Sequence, residues 1–243
     1  MRNLFLFMLL VGIFMFGRNG FKFGFFGIFN GVSGTGPVKT ELRSVSGFKS
    51  LSLNISGDVE FSVSDQYSVE VQAQENLLPL LKTVVEGENL QISFEQNVRS
   101  HENILVKVSA PNFEGFHLDG SGNIRAMTPL KGEKLKLDIS GSGNISIPQA
   151  DIGELRCDVS GSGGMELGGK AQKMSVHVGG SGAIDSRNLN AETMDADISG
   201  SGDIQCTVSQ TLNAQVSGSG NVRYNGTPQV DARVSGSGTV EKF

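Results

Sequence analysis

A four-residue unit of the type Ser-Gly-Ser-Gly recurs seven times at near-constant spacing, and this limits the 243-residue chain to a small set of architectures. The unit stands first as Asp119-Gly120-Ser121-Gly122 and then begins at Ser140, Ser160, Gly179, Ser199, Ser217 and Ser235. Successive starts lie 21, 20, 19, 20, 18 and 18 residues apart. A repeat of about 20 residues with strand-like flanks marks a solenoid, because one turn cannot bury its apolar side alone and neighbouring turns must stack to do so.

Aligning the seven units exposes the strands. One residue before each stand Leu118, Ile139, Val159, Val178, Ile198, Val216 and Val234. Three before stand Phe116, Leu137, Cys157, Val176, Ala196, Ala214 and Ala232, and five after the unit's start stand Ile124, Ile145, Met165, Ile184, Ile204, Val222 and Val240. Polar residues such as Lys136, Asp138, Arg156 and Asp158 lie between the apolar columns. This period-2 alternation belongs to strands with one buried face. Carried through the unit, it turns both glycines inward, where backbones approach closely, and both serines outward. Rungs of a parallel stack lie about 4.8 Å apart, so seven make a rod roughly 30 Å long. Parallel crossovers are right-handed. The expected fold is therefore all-β: a right-handed parallel β-helix with rungs of 18–21 residues over 119–243, preceded by a less regular β region over 45–118.

That earlier region alternates over Leu51–Phe61 around a degenerate Ser56-Gly57 unit. Further strands are expected over Ser68–Gln72, Leu90–Phe94 and Asn103–Ser109, with Gly87-Glu88-Asn89 as a turn. Asn76–Val85 is the one segment read as a helix, with Pro79 near its start. The region is expected either to begin the solenoid irregularly or to close its end, since an uncovered solenoid end exposes unpaired backbone.

Phe48, Ser56-Gly57-Asp58-Val59, Glu75-Asn76-Leu77-Leu78-Pro79, Ala110-Pro111 and the ensuing Ser-Gly-Ser-Gly repeats occur in an order that resembles the auto-transporter adhesin head domain, the GIN domain, over about 45–243. The resemblance implies a β-helical domain of exported, mainly Gram-negative bacterial proteins, and it brings no catalytic motif. No translocator barrel or sorting domain is recognised after the repeats.

Residues 1–33 differ in composition. Arg2 precedes the apolar run Leu4–Phe16, nine of the 15 Phe fall here, and no acidic residue occurs before Glu41. This pattern reads as a secretory signal or Phe-rich leader, with cleavage near Gly31-Val32-Ser33-Gly34 and a linker over 34–44. Thirteen apolar residues fall short of the roughly 20 needed to span a bilayer, so any membrane contact runs through an uncleaved leader. Beyond residue 33 the chain holds 17 basic and 25 acidic side chains, a net of −8. Nucleic acid and anionic membrane surfaces demand a basic footprint and are excluded as partners. Cys157 and Cys206 could pair in an exported protein, but both fall on the inward parity, which favours two buried thiols.

Two outward columns are candidate sites. Ser121, Ser142, Ser162, Ser181, Ser201, Ser219 and Ser237 form a polar strip that could contact a glycan. His117, Asp138, Asp158, His177, Asp197, Gln215 and Arg233 form the other, in which Asp138, Asp158 and Asp197 are the only candidate metal ligands. Calcium takes 6–8 oxygens, and no carbonyl-rich turn accompanies them, so no metal and no cofactor is expected. Nor is a catalytic set: no serine is singled out by a partner base. The leading expectation is a non-enzymatic binding protein, exported to the periplasm or outer surface of a Gram-negative cell, with a glycan or protein as its partner there. The alternatives are a periplasmic structural or regulatory protein-interaction module and, on fold analogy alone, a polysaccharide-active enzyme.

Overall fold

The computed structural model describes residues 31–243. In the described residues the chain is all-β, a β-solenoid of about six turns. β1 (Val32–Ser33) and β2 (Val38–Arg43) lead into β3 (Ser50–Leu53), β4 (Asp58–Val63), β5 (Ser68–Gln74), β6 (Leu81–Glu86), β7 (Asn89–Phe94), β8 (Val98–Ser100) and β9 (Leu105–Ala110). The regular part comprises β10 (Gly115–Leu118), β11 (Asn123–Ala126), β12 (Leu130–Ile139), β13 (Asn144–Val159), β14 (Gly164–Val178), β15 (Ala183–Ile198), β16 (Asp203–Gly218), β17 (Asn221–Gly226), β18 (Gln229–Gly236) and β19 (Thr239–Lys242).

From β12 onward each strand pairs in parallel with its counterpart one repeat later, so residues at the same repeat position stack. Within β13 the inward residues are Ile145, Ile147, Ala150, Ile152, Leu155, Cys157 and Val159, all buried. The alternation slips at Pro148-Gln149 and again at Gly153-Glu154, where two successive residues face away from the core. Each slip turns the chain. With the Ser-Gly-Ser-Gly unit as the third corner, a rung has three faces: 144–147, 150–152 and 155–159 in this turn.

The unit is a corner rather than a loop. Ser142 N donates to Gly120 O at 2.9 Å, Asn144 N to Gly122 O at 3.1 Å and Ser140 N to Leu118 O at 2.9 Å, and the same ladder continues through the later rungs. The expected parity holds: Gly143 and its equivalents Gly163, Gly182, Gly202 and Gly220 are buried, and Ser142 and its equivalents are exposed. Of the repeat-unit glycines only Gly236 has positive φ, so steric room, not backbone freedom, dictates glycine there. A Cβ on Gly161 would fall on the carbonyl oxygen of Gly141, and one on Gly163 on that of Gly143 with Ile139 Cγ2 at 2.8 Å.

The N-terminal region both begins the solenoid and closes it. Its rungs are stacked out of chain order: β7 and β9 lie on one side of β3 and β4, and β10 and β11 on the other. β5 then runs antiparallel to β9, β2 antiparallel to β5, and β6 antiparallel to β7. Phe48, Phe61, Phe113 and Phe116 fill the core here, with Phe61 and Phe113 centroids 5.0 Å apart in edge contact.

Two expectations are corrected. The helix over 76–85 is absent. Asn76–Leu80 turns, with Leu77 and Leu78 buried, and Leu81–Glu86 is a strand whose Thr83-Val84-Val85 run suits a pleated sheet and whose hairpin turns at Gly87, φ 63°. The stretch 34–44 is not a linker, because Val38–Arg43 forms β2 against β5. The leader lies outside the described residues, but its expected cleavage zone does not: Val32 and Ser33 pair with Val98 and Ser100, and Gly34 N donates to Ser100 O at 2.7 Å.

Cys157 and Cys206 are buried and unpaired, on different faces. Burial raises both thiol pKa values, that of Cys206 to about 12, so neither forms thiolate near neutral pH. In the native protein neither thiol is expected to react with an aromatic disulfide reagent, and both should react once denaturant is added; rapid native labelling of either would contradict this placement. Replacing Gly161 by Ala should cost at least about 2 kcal/mol in urea unfolding, because backbone must move to admit the methyl. At Gly132, where a Cβ meets nothing closer than 3.7 Å, the same change should be neutral or gain up to about 1 kcal/mol.

Candidate binding face

The third face carries two outward columns. The first is the sequence-predicted one, and the strand register stacks His117, Asp138, Asp158, His177, Asp197, Gln215 and Arg233 in that order. The second stands two residues earlier on each strand: Lys136, Arg156, Ser175, Asp195, Asn213 and Asp231. Period-2 alternation was the signal that could have nominated this second column, since its members share the outward phase.

A shallow groove of about 480 Å³ lies over the C-terminal part of this face, from Arg156 and Asp158 to Asp231 and Arg233. The inward column beneath this face runs Phe116, Leu137, Cys157, Val176, Ala196 and Ala214. Asp158 and Asp197 both line the groove, with His177 between them in the column; Asp138 lies one rung outside it.

The carboxylates are engaged individually. Asp138 pairs with Lys136 Nζ at 2.8 Å and Asp158 with Arg156 Nε at 2.8 Å. Asp158, first by hydrogen bonding and then by charge, raises the Arg156 pKa further. Asp195 accepts from Asn213 Nδ2 at 2.8 Å, and Asp197 Oδ2 lies 3.5 Å from His177 Nδ1. Neighbouring Asp138 and Asp158 thus each face a cation on their own strand instead of sharing one ion. Among the described residues no group of three or more His, Cys, Asp and Glu is placed to hold a metal. The groove offers alternating donors and acceptors on a rigid sheet, and both thiols lie beneath the surface, out of its reach.

The serine strip occupies a separate corner. Ser121, Ser142, Ser162, Ser181, Ser201, Ser219 and Ser237 are all exposed on consecutive rungs, a narrow ridge rather than a concave site. Beside it runs a ladder that sequence reasoning missed. Asn123 Nδ2 donates to Asp58 Oδ1 at 2.7 Å and Asn144 Nδ2 to Asn123 Oδ1 at 3.0 Å; later Asn221 Nδ2 donates to Asp203 Oδ1 at 2.8 Å and Thr239 Oγ1 to Asn221 Oδ1 at 3.0 Å. Gly164 and Ala183 interrupt it. These residues share one repeat position, four after the start of each unit, but their identities vary too much to stand out. Such hydrogen bonds each add about 1 kcal/mol, so Asn123→Ala, which removes two of them, should lower stability by about 2 kcal/mol in urea unfolding, with the solenoid retained.

These features define a class: a parallel β-solenoid with an exposed polar sheet face. The chain belongs to the family described as "Putative auto-transporter adhesin, head GIN domain", whose model matches residues 47–228. A solved adhesin-like protein of Bacteroides fragilis, described as a "putative adhesin", matches with a TM-score of 0.84 at 24% identity, covering 88% of this chain and all of that one. One from Parabacteroides distasonis, also described as a "putative adhesin", matches at 0.72 and 25%, with the same coverage. A second P. distasonis structure, described as a "putative lipid binding protein", matches at 0.74 and 24%, covering 87% of this chain and 99% of that one. Comparison with curated proteins finds no match.

Proposed function

We propose that this chain is a non-enzymatic binding protein of the adhesin-head type, exported to the bacterial cell surface, and that the groove on its third face is where it meets a glycan. The observation that carries this reading is the pair of polar columns, Arg156 to Asp231 and Asp158 to Arg233, held at rung spacing over a close-packed core. Hydroxyl-rich ligands are held by planar sets of donors and acceptors, and Asp195–Asn213 and His177–Asp197 present such sets without side chains that must first be ordered. Repetition along the rod suits a repeating ligand, for which several weak contacts combine into useful avidity. Membership of an adhesin-type family and the solenoid shared with solved adhesin-like proteins support the assignment.

A glycan array probed with the purified protein tests this reading. Asp197→Lys with Asn213→Lys should abolish the retained signals, whereas Ser162→Lys with Ser181→Lys on the serine ridge should leave them, since both pairs are surface changes with little effect on stability. Loss only from the ridge pair would move the site to that corner. Protease treatment of intact cells should release peptides from the described body while a periplasmic control stays protected; release only after the envelope is broken would instead support a periplasmic protein-binding role.

A further inference from the structure

Charge is unevenly spread over the groove. Four aspartates and two arginines line it: Asp158, Asp195, Asp197 and Asp231 with Arg156 and Arg233. Each arginine is engaged two residues along its own strand. Arg156 Nε lies 2.8 Å from Asp158 Oδ2, and Arg233 Nη2 lies 3.8 Å from Asp231 Oδ2. These ion pairs occupy the outermost rungs of the groove, on β13 and β18. Asp195 and Asp197 stand on the middle rung, β15, with β14 on one side and β16 on the other.

The middle carboxylates have no cation of their own. Asp195 Oδ1 accepts from the uncharged amide of Asn213 at 2.8 Å. Asp197 Oδ2 stands 3.5 Å from His177 Nδ1, outside the range of about 2.7–3.2 Å for an N–H···O bond. No lysine or arginine of β14, β15 or β16 lines the groove. Asp195 is exposed and the Asp197 side chain is 50% exposed, so a ligand can reach both. Residues two apart on a strand project from the same face about 6.6 Å apart. One small cation seated between the two carboxylates therefore comes within reach of both and relieves their repulsion, whereas an anionic ligand meets two uncompensated like charges and is rejected.

We propose that the groove selects a glycan bearing a free amine, whose ammonium group sits between Asp195 and Asp197. This inference rests on the glycan reading above and adds the chemical class of the sugar. The ammonium donates to both carboxylates, and hydroxyls of the sugars on either side meet the neutral donors and acceptors of Ser175, Asn213 and Gln215. Acetylating the amine removes the charge, and a uronate reverses it. A sugar fits better than a lysine-bearing peptide, because the apolar lining residues Val176, Ala196 and Ala214 are buried within their strands and leave no pocket for a peptide's apolar side chains.

Calorimetric titration of the purified chain with a chitosan oligosaccharide, its fully N-acetylated counterpart and an oligouronate tests the proposal. The chitosan form should bind at least about tenfold more tightly than the acetylated one, the size expected when charge-assisted hydrogen bonds replace neutral ones, and the oligouronate should not bind. Asp195→Asn with Asp197→Asn keeps the shape of the groove and should erase the preference. Glu166→Gln, a loss of exposed negative charge on the first face, should leave it. Circular dichroism matching wild type would show that these surface changes keep the fold. Equal affinity for the two forms, or tighter binding of the uronate, overturns the proposal while the glycan reading stands; so does failure of chitosan to bind when other glycans on the array do. A preference that survives the paired groove change, or that falls as much with Glu166→Gln, also overturns it, because general attraction to an acidic chain would then suffice. Binding of an oligolysine peptide with no glycan retained would overturn both readings in favour of a protein partner.

Discussion

Close approach between glycine backbone and the carbonyl one rung away is the contact on which this solenoid depends. At the repeated corner the chain must turn, stay hydrogen-bonded to the rung before it and receive the rung after it. Gly141, Gly161, Gly180, Gly200 and Gly218 allow this because a Cβ at any of them would meet a carbonyl oxygen of the preceding rung. From Gly143 onward a Cβ on the second glycine of each unit would meet in addition an inward aliphatic side chain, such as Ile139 beneath Gly163 or Ile198 beneath Gly220. With the corner held at one spacing, the three faces stay in register, the apolar columns align, and outward residues at equal repeat positions become neighbours. The polar face and the Asn–Asp ladder both follow from that register.

The same geometry explains how rung length varies without disrupting the stack. Repeats shorten from 21 to 18 residues along the chain, yet the positions flanking each unit remain paired. β15 and β16 absorb the difference between Ser186 and Thr193, where the register shifts away from the glycine corner. The inward residue of the third face also changes along the chain, from Phe116, which packs in a cluster with Phe61 and Phe113, to the alanines at 196 and 214.

Regular repeats made the C-terminal half legible from residues alone. Alternation about Ile139 and Ile145 identified the buried face, and the column through Asp158, His177 and Asp197 runs along the outward side of the third face. The N-terminal half was less legible for a physical reason. Stacking order there is set by long-range pairing, β7 beneath β3 and β9 beneath β4, and no local pattern encodes which rung lies next to which. Asn76–Val85 misled because Leu77, Leu78 and Leu81 mimic helical spacing, while the hairpin with β7 decides the outcome. In the site, local alternation revealed that Asp138 and Asp158 are adjacent. That each would turn to a cation on its own strand, and that the concavity would lie over Ala196 and Ala214, required the packed core.

Amide hydrogen exchange at the glycine corners tests the central claim most directly. From Ser142 onward the second serine of each unit has an exposed side chain, but its N–H donates to a glycine carbonyl in the preceding rung: Ser162 to Gly141 at 3.1 Å, Ser181 to Gly161 at 3.1 Å and Ser201 to Gly180 at 2.9 Å. If the corners are continuous with the sheet, these amides exchange as slowly as those of the flanking strands, since they open only when rungs separate. Exchange at the rate of a free Gly-Ser loop, with protected strands on either side, would contradict the account: the rungs would then be joined by slack linkers, and the glycine ladder would not be what holds them in register.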